Sequence, residues 1–189
     1  MASNSFKGFI GELKLRLAMF FLLGGCYKVF SNVTILLPDN KTSQIDHVVV
    51  SRHGVFVIET KNYKGEITIN ERTGYWTQSF SRNSYDFYSP IKQNEGHISA
   101  LKYMLKTKQP PFFNIVCFVG EATFTNAQLP EGVATNIRQA IRIIRGHKKK
   151  VMKSAQAGEL IENIKRRRMK NNRRTRKLHL KNVKAKQRR

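Results

Sequence analysis

Residues 44–65 read QIDHVVVSRHGVFVIETKNYKG, and three ionisable side chains stand at the ends of two apolar runs within them. Asp46 opens the run Val48–Val50, while Glu59 and Lys61 close the run Val55–Ile58. Side chains alternate along an extended strand, so Glu59 and Lys61 share a face, with Val57 preceding them deeper in the core. A tight turn through Arg52, His53 and Gly54 would pair the two runs antiparallel and bring Asp46 beside the Glu59–Lys61 end. Two carboxylates that close repel each other unless a cation lies between them. A hard divalent ion, Mg²⁺ or Mn²⁺, takes such oxygen ligands and keeps positions for water and substrate phosphate. The ion acidifies water for attack on phosphorus. An ammonium alongside balances the charge that grows on the phosphoryl oxygens. In a chain of net charge +23 this trio points to phosphodiester cleavage. E-x-K by itself is a common strand-end pair; Asp46 at hairpin spacing and the apolar run leading in are what give it weight.

The elements that must position these groups can be read from periodicity. Phe6, Phe9, Ile10, Leu13, Leu17 and Phe20 recur at helical spacing, predicting a helix over residues 5–23. Ser3, Asn4 or Ser5 would cap it, and Gly24-Gly25 would end it. Residues 27–37 read as a strand. Residues 44–51 and 55–61 read as two more, apolar on successive residues and so central and covered on both faces. Residues 66–69 and 75–80 predict a peripheral hairpin. Ser89-Pro90 is an N-cap with proline at the first helical position, opening a helix that runs to Leu105. Residues 114–119 predict a further buried strand, ATNIRQAIRIIRG a short helix, and 151–164 a last one. The expected architecture is a mixed central sheet flanked by helices. Residues 1–150 form the α/β domain, and residues 151–189 form a C-terminal helix and tail.

From Lys165 to Arg189 the chain carries 14 Lys or Arg and no acid; take these from +23 and the rest still carries +9. Lys165, Arg166, Arg167, Arg168, Arg173, Arg174 and Arg176 are therefore candidate phosphate contacts, binding without regard to base sequence. With few apolar residues the tail reads as disordered, or as a helix that forms on a polyanion. The partner expected is nucleic acid, DNA first. A membrane surface held by the tail is the competing polyanion. Cys26 and Cys117 lack C-x-x-C spacing, which argues against a zinc ribbon or disulfide scaffold and fits a reducing cytoplasm. LAMFFLLGGC, residues 17–26, is similar to the end of a lipoprotein signal. Its apolar stretch is short, however, and Glu12 sits where positive charge belongs. No run has the length needed to span a bilayer, so no stable membrane insertion is expected.

GELKLRLAMFFL, QIDHVVVSRHGVFVIETKNYKG, a Trp, and SPIKQNEGHISAL occur in that order. Together they resemble the nuclease-related domain (NERD) family, a branch of the PD-(D/E)xK nucleases with a restriction-endonuclease-like fold. The resemblance covers about residues 11–101. It implies a metal-dependent deoxyribonuclease in which Asp46, Glu59 and Glu12 serve the metal and Lys61 the nucleophile. It also implies that Gln93 and His97 form a Q-x-x-x-H block able to contact phosphate or a water, and it allows a homodimer that cuts both strands. The runner-up reading is a nucleic-acid-binding module whose nuclease site is idle. Trp76 is expected to serve packing, and His47 and His53 to stand by without ligating zinc.

Overall fold

The computed structural model describes residues 2–81 and 83–187; of the side chains, those of residues 2–7, Phe9 and residues 186–187 are not described. The proposed caps Ser3, Asn4 and Ser5, and the stripe residues Phe6 and Phe9, fall outside the described side chains, as do Arg188 and Arg189 of the tail.

Five strands make the main sheet: β1 (Lys28–Leu36), β2 (Thr42–Ser51), β3 (Gly54–Lys61), β7 (Phe112–Phe118) and β9 (Val133–Ala134), in the order β1-β2-β3-β7-β9. The first three are antiparallel neighbours, and β7 and β9 continue in parallel. The β2–β3 turn is as tight as expected, with Ser51 opposite Gly54. Gly54 has φ 135°, and a Cβ there would meet the Phe113 ring at 2.5 Å, so the position demands glycine. β3 is buried from Gly54 to Glu59, as its unbroken apolar run requires.

Helices cover both faces. On one, α2 (Pro90–Leu105) and α4 (Ser154–Arg167) pack Ile98, Leu101, Met104 and Ile164 against Val48, Val55 and Val57. On the other, α1 (Ala2–Leu22) and α3 (Ile137–Gly146) set Leu15, Met19, Ile141 and Ile144 against Val49, Phe56 and Ile58. α2 starts where Ser89 accepts a hydrogen bond from Lys92 N, with Pro90 at its first position. The expected peripheral hairpin, β4 (Gly65–Asn70) and β5 (Tyr75–Phe80), belongs to a second sheet of order β6-β5-β4-β8, with β6 (Asn83–Tyr88) and β8 (Ala122–Phe124). Trp76 is fully buried there and stacks on Phe118 at an interplanar angle of 8°. The whole is a mixed α/β architecture consistent with the restriction-endonuclease-like fold.

The tail, expected as disordered or as a helix that forms on a polyanion, is helical and lies on the body of the chain. After α4 the chain forms α5 (Arg173–Gln187), which lies against β2. Thr175 is buried; Leu178, His179 and Asn182 are half-buried. His179 Nδ1 shares a 3.0 Å hydrogen bond with Thr42 Oγ1, and Asn182 Nδ2 donates to Asn40 O and to Thr42 Oγ1. This docking face is largely polar, so no apolar periodicity announces it.

Candidate functional site

The site forms where β2 and β3 part. Their pairing runs from Ser51–Gly54 to His47–Ile58 and stops. One step further, the backbone N–H of Thr60 donates to Asp46 Oδ2 at 2.8 Å, so a side chain takes over from the strand partner. The β1–β2 pairing breaks at the same level. Asn32 has φ 52°, and the paired positions skip from Ser31–His47 to Val33–Ile45. Phe30 and Val33 on β1, and Val48 and Ile45 on β2, all reach the same core. The alternation of faces therefore slips by one residue on each strand across Asn32 and Asp46, with the register unchanged, which re-aims the side chains at this sheet end.

Glu59 and Lys61 lie on the α2 face beyond Val57, as period two requires. Lys61 Nζ donates to Glu59 Oε1 at 2.7 Å and to Gln93 Oε1 at 3.0 Å. Gln93 Nε2 donates to the same Glu59 oxygen at 2.8 Å, which closes a ring of three hydrogen bonds. His97 Nε2 stands 3.4 Å from Glu59 Oε2, and its Nδ1 shares a 2.8 Å hydrogen bond with Ser43 Oγ. Gln93 and His97 are one helical turn apart, so both present to the strand from one face of α2.

Electrostatics separates the acids. Burial, then Glu59 and Glu12, push the Asp46 carboxyl well above the usual range, against the Thr60 N–H and Lys61. Glu12 is raised by burial and by Glu59. Burial also opposes the charge on Glu59, but the His97 and Lys61 contacts outweigh it and hold that carboxyl low. Burial opposes the charge on Lys61 too, and Glu59 overcomes it, so the amine is raised. Glu12, Asp46, Glu59 and Lys61 thus act on one another as a group. Among the described residues, no group of three or more His, Cys, Asp or Glu is placed to hold a metal ion by itself.

Two supporting residues escaped the sequence reading. Asn94 is fully buried, and its Nδ2 donates to Val57 O and Asn114 Oδ1 at 2.8 and 2.7 Å. It ties α2 to the sheet one residue from Gln93. Ser43 orients His97. A polar residue in a helix normally faces water, so the only signal for Asn94 was its place between Gln93 and the apolar Ile98. His47 is buried against Ser31 Oγ at 2.9 Å; burial, aided by Arg16, lowers it to about 4, against a hydrogen bond to the Glu12 backbone and the charge of Glu59. His53 meets Lys149 O at 3.2 Å.

Of the tail cations, Lys165, Arg166, Arg167, Arg173, Arg174 and Arg176 are exposed, while Arg168 is half-buried with its guanidinium 5.5 Å from the Phe30 ring centre. Thr42, which anchors α5, is the neighbour of Ser43, so the basic helix lies beside the His97 side of the site.

A stretch of 104 residues is 38% identical to an uncharacterized protein of Bacillus anthracis, covering 55% of this chain and 49% of that protein. The chain thus spans about half the length of that relative. No solved structure matches the chain. Residues 7–119, more than half of the chain, match the model of the nuclease-related domain, and the chain therefore belongs to the nuclease-related domain (NERD) family.

Proposed function

We propose that the chain is a metal-dependent nuclease that hydrolyses phosphodiester bonds in DNA. The observation that carries this reading is the Glu59–Lys61–Gln93 ring, set beside a half-buried second carboxylate, Asp46, at the open end of a covered sheet. The donor set suits Mg²⁺ or Mn²⁺. It is made of carboxylate oxygens; burial raises Asp46 and Glu12 first, and the repulsion among the acids that adds to it is what a cation between them relieves. An ion that takes one or two carboxylates and completes its shell with water and phosphate needs no three-ligand cage. Asp46 and Glu59 would hold it, with Glu12 the third acid of the group. Such an ion, when bound, supplies Lewis-acid polarisation of the phosphoryl oxygens.

The rest is done by the chain itself. Lys61 stays charged because Glu59 holds its ammonium, and it offers its remaining proton to a phosphoryl oxygen as negative charge develops. Gln93 fixes both partners, so the ammonium does not have to be reorganised during reaction. His97, backed by Ser43, steadies the other oxygen of Glu59. The tail cations hold the polyanion close and raise its local concentration. A homodimer would supply a second site for the opposite strand. An exposed Cys26 and a buried Cys117, both free, fit a reducing compartment.

The test is purified protein with plasmid DNA and Mg²⁺. Cleavage should vanish in EDTA and fall at least ~100-fold in Asp46→Ala and in Lys61→Ala. Variants that cut as fast as the parent would end this assignment. A second reading, a nucleic-acid-binding module with an idle site, draws on one observation: Glu59 Oε1 is already satisfied by Lys61 and Gln93. Tight binding that ignores Mg²⁺ and leads to no cleavage would favour it.

A further inference from the structure

A basic cleft of about 410 Å³ lies between α1, β1 and the end of α4, lined among others by Arg16, Lys28, Ser31, Lys165 and Arg168. A second hollow of about 380 Å³ shares Arg16, Val29 and Ser31 with it and reaches Phe20. β1 is an edge strand of the main sheet, so the cleft runs along a sheet side that carries no further strand. Lys165 is paired with Glu162 at 2.6 Å. Among the described residues no ion pair neutralises Arg16, Lys28 or Arg168.

Both walls of the cleft lead to the acids. Arg16 is one helical turn beyond Glu12 on α1. Ser31 is hydrogen-bonded to His47, the neighbour of Asp46. At the other end the Phe20 ring is 75% exposed and offers an open face. Unneutralised cations rule against a second copy of this basic chain as occupant. They call for an anion, and the aromatic face calls for a flat apolar group attached to it. A strand with unpaired bases supplies both, phosphates for the cations and a base for the ring. A closed duplex offers phosphates but keeps its bases stacked inside.

We propose that this cleft binds an unpaired nucleic-acid strand, with phosphates on Arg16, Lys28 and Arg168 and a base stacked on Phe20. Its binding is independent of cleavage; that the bound strand leads to Asp46 and Glu59 rests on the nuclease reading.

The experiment measures binding in EDTA, where nothing is cut. The probes are a fluorescent oligo(dT) of roughly 20 nucleotides, longer than a typical single-strand site, a blunt duplex of equal length, and phosphatidylserine vesicles. Phe20→Ala should weaken oligo(dT) about tenfold and change the duplex less than about twofold. The double variant Arg16→Gln, Lys28→Gln should lower the slope of log affinity against log salt for oligo(dT) by about 1.4. All three side chains are exposed, and a thermal melt of each variant confirms folding. Unchanged oligo(dT) affinity in Phe20→Ala overturns the proposal. So does a Phe20→Ala protein that loses vesicle flotation while keeping its oligo(dT) affinity, because the ring then serves a lipid surface. A parent chain that fails to cut with Mg²⁺ but shows both binding effects keeps the cleft and sinks the nuclease reading. One that cuts as assigned while Phe20→Ala binds normally sinks the cleft alone.

Discussion

At the residue scale, the buried Glu59 and the half-buried Asp46 belong to one charge cluster, and their surroundings drive them in opposite directions. Glu59 has Lys61, Gln93 and His97 to receive its charge. Against the charge on Asp46 stand burial and then the repulsion of Glu59 and Glu12, with one backbone N–H in its favour. Its folded-state pKa is raised above the ordinary 3.8, so the folded chain binds more protons than the unfolded one between those two values. Stability from Asp46 is then full at pH below the unfolded pKa and is lost as pH rises through the folded one. At neutral pH its charge costs stability unless a cation offsets it. Asp46→Asn removes that charge and keeps an oxygen for the Thr60 N–H. In EDTA at neutral pH the variant should melt roughly 2–4 °C above the parent. The parent, but not the variant, should gain Tm on adding Mg²⁺, since a ligand that binds only the folded state stabilises it. A variant that melts lower than the parent in EDTA, or that gains as much from Mg²⁺, would show that Asp46 is not the strained acid of the site.

At the element scale, α5 is held by a polar seam, and Thr42 is its main anchor, accepting from Asn182 and bonded to His179. Thr42→Val keeps the shape of the side chain and removes both hydrogen bonds, each worth about 1 kcal/mol. Brief trypsin treatment should then shorten the chain behind α4 several-fold faster in the variant, leaving the body intact, with fragments identified by mass. Equal rates would mean that α5 does not depend on this seam. The same helix marks a limit of sequence reading. β2, β3 and α2 were legible because continuous apolar runs and the Ser89-Pro90 cap are local signals. Glu59 and Lys61 followed from the period of two on β3 and Asp46 from hairpin spacing, whereas Gln93 and His97 came from the family resemblance, their four-residue spacing fitting one helix face. β6 was invisible, since NSYDFY is mostly exposed and owes its extension to β5. β8 and β9, of three and two residues, are strands only because β4 and β7 lie alongside. Asn94 and the docking of α5 on β2 were missed for a related reason: polar residues that bury themselves through hydrogen bonds leave no apolar trace.

At the scale of the whole molecule, the charge is arranged around the site rather than confined to a loose arm. α5 carries Arg173, Arg174 and Arg176 and meets the His97 side of the site at His179, while Arg16, Lys28 and Arg168 line the cleft beside β1. A docked helix acts as a fixed rail, so its cations should matter for capture of long substrates and hardly at all once a short one is seated. Replacing Arg173, Arg174 and Arg176 together by Gln tests this without removing the seam that holds the helix. Each cation withdrawn from a phosphate lowers the salt slope by about 0.9 on duplex and about 0.7 on single strands. The triple variant should therefore show a slope roughly 2–3 units shallower on a long duplex. If the nuclease reading holds, its kcat/KM on plasmid should fall in low salt while kcat stays within about twofold, the signature of weakened ground-state attraction rather than impaired chemistry. A slope that does not move would place the polyanion on the +9 carried by residues 1–164. A kcat that falls with the slope would instead put one of these arginines at the reacting phosphate.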